Sequence, residues 1–297
     1  MKIATATYPL DWLESWAQYE DKLFRWVDKA ASNGADLLVF PEYAAMELAT
    51  LAGSGITGDL EAATQAVSEA MPEAAALHQH FAESFGVHIL SGSGPVFADG
   101  QARPVNRAML FAPEGQNGHQ DKQIMTRWER DPWGIRPGGP LHLFNTALGK
   151  IGVLICYDSE FPLLGRALSE ADMILVPSCT EALSGYWRVR IGAMARALEN
   201  QCVTVMASLC GEAAWCPAVD INTGAGGVFG PPDTGFPATG VIADGTLNDP
   251  GWVYAEVDLR TVAGVRADGQ VLNRSHWDEQ LSRAGQATLV DLASESP

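Results

Sequence analysis

The first 43 residues constrain the fold most. Residues 3–8 read as a strand, and Trp12, Trp16, Tyr19, Leu23, Trp26, Val27 and Ala30 then recur at helical spacing until Asn33-Gly34 stops the run. "ADLLVFPEY" follows as a buried apolar strand ended by Pro41. Strand, amphipathic helix and apolar strand make a β–helix–β unit, which calls for a sheet covered by helices. The alternation continues, with strands expected at 87–93, 107–112, 141–145, 150–157, 172–177 and 202–208 and helices at about 61–85, 162–170 and 185–200. The short "ALG" between "LHLFNT" and "KIGVLICYD" suits an antiparallel hairpin, so the sheet is mixed. Beyond residue 221 a Gly- and Pro-rich stretch leads to a last strand, "GWVYAEVDL", and then a polar tail. With no repeat and no convincing linker, the expectation is one α/β domain over 1–280 and a C-terminal tail at 281–297.

A chain that is 47% hydrophobic and 19% charged can fill such a core. Its formal charge of -17, from 36 acidic against 19 basic residues, repels phosphate backbones and anionic bilayers, so no nucleic acid and no membrane is expected as a partner. No stretch reaches the roughly 18 apolar residues of a membrane span, and "MKIATATYPL" has no charged-then-apolar signal. The five cysteines, at 156, 179, 202, 210 and 216, form an odd set without a Cys-x-x-Cys pair. That excludes a disulfide framework and a zinc ribbon and points to the cytoplasm, where thiols stay reduced. His78 and His80 lie two apart on a helix and face different ways, so they make no metal pair and are expected at the surface. No metal and no cofactor is called for.

The chemistry-bearing residues sit where apolar strands end. Cys156 closes "IGVLICYD" just before "SEFPLLGRALSEA", a segment able to start a helix with Pro162 in its first turn. A thiol at such a strand-to-helix corner feels the positive helix end, and backbone N–H groups there can face a developing oxyanion. Glu42 lies just past the strand in "LLVFPEY", where a carboxylate projects into a cleft at a sheet edge. Lys122 and Glu129 stand seven apart in "HQDKQIMTRWERDPWG", among Trp128 and Trp133. Cys179, Cys202 and Cys210 read as core, whereas Cys216 in "AAWCPA" has the look of an exposed thiol.

The order of Glu42 after "VFP", Lys122 in "QDKQ" of a mid-chain loop and Cys156 in "LICYD" resembles the nitrilase superfamily of carbon–nitrogen hydrolases, over about residues 1–277. The "TRWER" context places a second family glutamate at Glu129, and "ARALENQCVTV" at 195–205 is similar to the family's helix-to-strand segment near the pocket. The resemblance implies a four-layer αββα sandwich, a Glu-Lys-Cys triad and homodimers or higher oligomers that pair through outer helices. Cys156 would be nucleophile, Glu42 the base, Lys122 with the Tyr157 backbone N–H the oxyanion partner, and Glu129 a positioning group. Departures from the family pattern stand at Asp121, Leu163 and Ser208.

A free thiol has a pKa near ~8.5, so a neighbouring carboxylate or ammonium is needed to activate it at neutral pH. The resemblance implies hydrolysis of a non-peptide, amide-like bond of a small molecule through a cysteine thioester. Tyr157, Trp128 and Trp187 are the candidate substrate contacts, with Tyr186, Arg188, Arg190 and Trp215 as further pocket candidates. Two alternatives stay open: a nitrilase, although Tyr157-Asp158 resembles the amidase branches rather than the nitrilases with Trp after the cysteine, and a catalytically silent binding member.

Overall fold

The structure, a computed structural model, describes residues 1–98, 100–285 and 287–292; of the expected tail, Gln286 and residues 293–297 lie outside the described residues. Its strands are β1 (Lys2–Pro9), β2 (Leu37–Val39), β3 (His88–Leu90), β4 (Gly94–Val96), β5 (Val105–Phe111), β6 (Asn117–Asp121), β7 (Leu143–Thr146), β8 (Gly149–Val153), β9 (Met173–Ser178), β10 (Val203–Glu212), β11 (Ile221–Asn222), β12 (Gly227–Phe229), β13 (Val241–Asp244) and β14 (Gly251–Glu256). The helices are α1 (Trp16–Ser32), α2 (Ser54–Thr57), α3 (Leu60–Phe85), α4 (Arg127–Arg130), α5 (Pro162–Ala167), α6 (Leu183–Asn200), α7 (Leu259–Asp268) and α8 (Asn273–His276). The 3₁₀ segments Ala44–Ala52 and Cys156–Glu160 follow β2 and β8.

Two half-sheets meet at a narrow seam. In the first, β6 pairs with β5, then β3 and β4, β2, β1 and β14 follow in order. In the second the order is β7, β8, β9, β10, β12, β13. They join where Thr7, Tyr8 and Pro9 of β1 run parallel to Ser208, Leu209 and Cys210 of β10. Side-chain alternation assigns the layers. Ala4, Ala6, Tyr8 and Leu38 face Leu23, Val27, Phe81 and Ala82 of α1 and α3, whereas Ile3, Leu37 and Val39 belong to a second core with β8, β9, β10 and α6. The layers run helix, sheet, sheet, helix, the expected α/β sandwich.

Local chemistry sets the element ends. Ser15 caps α1, its side chain accepting the Gln18 N–H, so Trp12 lies before the helix and packs edge-on against Trp215 instead. Asp59 caps α3 at one end, and Gly86, at φ 66°, closes it at the other. The 143–153 segment is the expected hairpin. The polar stretch before Lys122 is a strand, β6, and α7 and α8 occupy what reads as polar tail.

Two expectations fail on burial. His78 is inside, 5% exposed, with Nδ1 2.8 Å from the Ala74 carbonyl and the ring stacked on Phe111. Burial pushes its pKa down to about 4, which leaves a neutral ring compatible with the core. Cys216 is fully buried, because the turn Ala213–Cys216 folds it into the first core.

Behind the first half-sheet lies a buried ion pair. Lys22 of α1 donates to Glu47 Oε2 at 2.7 Å and to the Pro9 carbonyl at 2.8 Å, and the Tyr8 hydroxyl donates to Glu47 Oε1 at 2.7 Å. Glu47 sits in the 3₁₀ segment that begins two residues after Glu42, so this pair ties α1 to the segment bearing Glu42. Removing one partner strands the other without solvent. Lys22→Met is expected to lower the unfolding free energy by about 3–5 kcal/mol, read from urea denaturation at pH 7.5.

Candidate active site

Three chain segments bring their charged ends together. Glu42, three residues past β2, is 1% exposed; Lys122, immediately after β6, is 1% exposed; Glu129, inside α4, is 3% exposed. Lys122 Nζ donates to Glu42 Oε1 at 2.7 Å and to Glu129 Oε1 and Oε2 at 2.8 and 2.7 Å. Glu129 also caps its own helical turn: its Oε2 accepts the Thr126 N–H and hydroxyl, both at 2.8 Å, while Thr126 Oγ1 accepts the Glu129 N–H. The Thr-x-x-Glu pattern of a capping box, visible in the sequence, thus holds Glu129 at the lysine. The Tyr43 hydroxyl donates to Glu129 Oε1 at 2.7 Å, and its ring lies 4.5 Å from that of Trp133.

The thiol comes from the other half-sheet. After β8 the chain runs through Leu154 and Ile155 into the 3₁₀ segment that starts at Cys156, so the corner differs from the expected one: α5 begins only at Pro162, which holds its first position. Cys156 has φ 51° and Tyr43 has φ 56°, both left-handed, a conformation that β-carbon-bearing residues keep only where their surroundings impose it. Cys156 Sγ lies 3.7 Å from the Cys179 carbonyl, and the Cys179 N–H donates to Glu42 Oε2 at 3.0 Å. Asp158, two residues on, accepts the N–H groups of Gln123 and Ile124, at 2.8 Å for Ile124, and that of Ile155 at 3.3 Å. One carboxylate therefore fastens the lysine loop to the cysteine corner, a role unassigned from sequence.

Burial is the largest single influence on each of these groups, though not always the deciding one. It drives the Glu42 carboxyl up to about 7, with Lys122 opposing and Glu129 adding to the rise. Burial also works against Glu129, but Lys122 outweighs it and leaves that carboxyl below its ordinary value. Burial would lower Lys122, yet Glu129 and Glu42 hold it well above its ordinary value, so the ammonium stays charged. Burial and then Glu42 push the Cys156 thiol up. Asp158 is pushed by burial to about 6, against Lys122 and its three N–H donors.

These groups open onto a cavity of about 730 Å³. Trp128 and Tyr157 line it, with Tyr43, Trp133, Glu160, Arg188, Pro217 and Asp220 among the others. Trp187 does not line it: the ring is 49% exposed on the outer face of α6, packed beside Tyr186 and Arg190. Arg190 is turned away to a bidentate pair with Asp244, whereas Arg188 reaches the cavity with Nε 3.6 Å from Glu160. Cys179, read as core, lines the cavity, its Sγ directed at Asn222 Oδ1. Asp121 forms a bidentate pair with Arg107, Leu163 is exposed, and Ser208 Oγ meets Ser178 Oγ at 2.9 Å. Among the described residues no group of three or more His, Cys, Asp or Glu side chains could hold a metal ion, and no helix is long and apolar enough to cross a membrane.

A family model described as carbon–nitrogen hydrolase matches residues 2–267. A probable hydrolase of Bacillus subtilis is 32% identical over 273 residues, 91% of this chain and 52% of that protein, so the chain spans about half the length of this relative. A deaminated glutathione amidase of Synechocystis is 32% identical over 194 residues, 60% of this chain and 67% of that one. Among solved structures, a Saccharomyces cerevisiae member of branch 10 of the nitrilase superfamily superposes with a TM-score of 0.67 at 19% identity, covering 90% of this chain and 93% of that one. An amidase of Nesterenkonia superposes with a TM-score of 0.66 at 20% identity, covering 95% and 98%. At these identities the structural likeness speaks for the fold.

The raised Glu42 carboxyl has a consequence for stability. Below about pH 4.5 the residue is protonated in folded and unfolded chains alike and costs nothing; between about 4.5 and about 7 the unfolded chain ionises first, so stability falls as pH rises, and above about 7 the loss is complete. A rise from 4.5 to about 7, at about 1.36 kcal/mol per pH unit, amounts to about 3 kcal/mol. Glu42→Gln is expected to be more stable than the native protein by about that amount at pH 8 and equal to it near pH 4. Urea unfolding at the two pH values measures the difference.

Proposed function

The chain belongs to the carbon–nitrogen hydrolase family, and we propose that it hydrolyses an amide-like bond of a small molecule through a thioester on Cys156. The observation that carries this reading is the Cys156 thiol at the cavity wall beside a buried ammonium shared by two carboxylates. In the first half-reaction Glu42 takes the thiol proton as sulfur attacks the carbonyl carbon, and the carbonyl π electrons move onto oxygen. Lys122 and the Tyr157 backbone N–H hold the resulting oxyanion. All three Lys122 contacts are occupied at rest. Protonation of Glu42 weakens one of them, so an ammonium N–H is released as charge develops on the oxygen. The C–N bond then breaks, and the amine leaves with the proton from Glu42. In the second half-reaction Glu42 takes a proton from water, whose oxygen attacks the thioester; the C–S bond breaks and the proton returns to sulfur. Glu129 keeps Lys122 in place and charged throughout.

Amide is favoured over nitrile by Tyr157-Asp158, and Trp128 and Tyr157 serve as walls for the acyl group or the amine. Ammonia release across small amides, dicarboxylic monoamides, N-carbamoyl compounds and nitriles ranks the substrates. With the best of them, Cys156→Ala is expected to be inactive and Glu42→Gln to lose at least about 100-fold in kcat/KM, with circular dichroism unchanged. A fully active Cys156→Ala sinks this reading. The native kcat/KM is expected to fall below about pH 7 as Glu42 is protonated.

The same proposal includes self-association. On α6, Leu183, Trp187, Ile191 and Leu198 are 50%, 49%, 61% and 38% exposed, and Leu163 of α5, beside it, is 76% exposed. Their near-regular spacing draws one apolar stripe along the outer helix layer, of a kind that a second copy covers. The set of free thiols fits a reducing, cytoplasmic setting. Small-angle scattering at micromolar concentration is expected to give at least a dimer, and Ile191→Glu to shift it toward monomer.

A further inference from the structure

We propose that Asn106 is a positioning residue that keeps Glu42 ionised and directs the Cys156 proton to one oxygen of it, Oε2; this rests on Glu42 serving as the base. Asn106 lies in β5 and is fully buried. It touches both partners of the central ion pair: its backbone carbonyl accepts the Lys122 backbone N–H at 2.9 Å, and its side-chain Nδ2 donates to Glu42 Oε1 at 3.0 Å.

The donors around Glu42 are unequally shared. Oε1 receives Lys122 Nζ and Asn106 Nδ2, which fill its two lone pairs, whereas Oε2 receives one N–H donor among the described residues, that of Cys179. One lone pair on Oε2 remains, and the thiol proton has that place to go. A proton on Oε1 would face an ammonium and an amide N–H₂, two donors and no acceptor.

The other end of the same side chain supplies a second observation. Asn106 Oδ1 is buried with no hydrogen-bond partner among the described residues. A buried acceptor without a partner is costly, and an amide held only for packing would turn or be replaced. Here the donor end meets a carboxylate in a charge-assisted bond, which is strong enough to fix that orientation. Charged or titratable groups face Glu42 from elsewhere: Lys122 after β6, Glu129 in α4, Cys156 in the 3₁₀ segment, Cys179 after β9 and the adjacent Tyr43. Asn106 carries no charge and does not titrate, so removing it changes the basicity of Glu42 without changing the charge of the site.

The test follows alkylation of Cys156 by iodoacetamide between pH 5 and 9, by intact mass on the full chain, for the native protein, Asn106→Leu, Asn106→Ser and Glu42→Gln. Loss of the amide donor is expected to move the acid limb of the alkylation rate upward by about one pH unit in Asn106→Leu, with the high-pH plateau kept. Asn106→Ser, which retains a smaller donor, is expected to fall between. A merely structural residue would lower the rate at every pH and leave the limb in place; that result in both variants overturns the inference. Should Asn106→Leu fail to fold by circular dichroism, Asn106→Ser decides alone, a native limb refuting the role. If Glu42→Gln keeps the native limb, the assignment of Glu42 as base fails instead; if it loses the limb while both Asn106 variants keep it, only the role of Asn106 fails.

Discussion

A single ammonium shared between two carboxylates in a water-poor interior is the interaction on which the rest of this molecule depends. One cation cannot fully neutralise Glu42 and Glu129 together, and the two resolve the shortfall unequally. Glu129 has Tyr43, Thr126 and two contacts to Lys122, and stays a carboxylate; Glu42 has Lys122, Asn106 and one backbone N–H, and sits near neutrality in its proton affinity. The acid with more hydrogen-bond donors stays ionised against the lysine, and the one with fewer carries the raised pKa. Such a division of labour between neighbouring acids comes from environment rather than residue type.

Holding that arrangement requires strain and stitching elsewhere. Tyr43, next to Glu42, and Cys156 both occupy left-handed backbone conformations. Asp158 spends three N–H bonds to keep the lysine loop against the cysteine corner. Lys22 and Glu47 supply a second buried pair behind Glu42. These features are the kind of local cost that a fold tolerates where a functional site gains from it.

Much of this was legible in the sequence, for identifiable reasons. The opening β–helix–β unit, the long α3 and the 143–153 hairpin follow from periodicity, caps and turn length, which are local signals. Glu42, Lys122, Glu129 and Cys156 stood out only in combination, and the fold brings Glu42, Lys122 and Glu129 into direct contact with Cys156 beside them. What stayed hidden depends on tertiary placement. His78 reads as an ordinary polar helical residue until Phe111 is seen stacked on it; Trp187 looks like a pocket aromatic until α6 turns its face outward; Cys216 looks exposed until its turn folds inward. Asn106 carries no sequence signal, since a lone Asn in a strand is chemically unremarkable until its partners are known, and Tyr157-Asp158 gives no hint that the Asp158 carboxylate ties two loops together.

The three-residue ladder joining β1 to β10 is the only direct strand pairing between the two half-sheets among the described residues, and it sits next to the site. Glu42, Lys122 and Glu129 come from the part of the chain that builds the first half-sheet, while the Cys156 thiol and the Cys179 N–H come from the second. The distances within this cluster are therefore not a property of either half; they are a property of how the halves close. Methyl groups packed between the sheets at Ile3, Leu37, Val153 and Val205 act as the spacers of that closure. The core of this protein doubles as the ruler that sets how far the Cys156 thiol stands from Glu42.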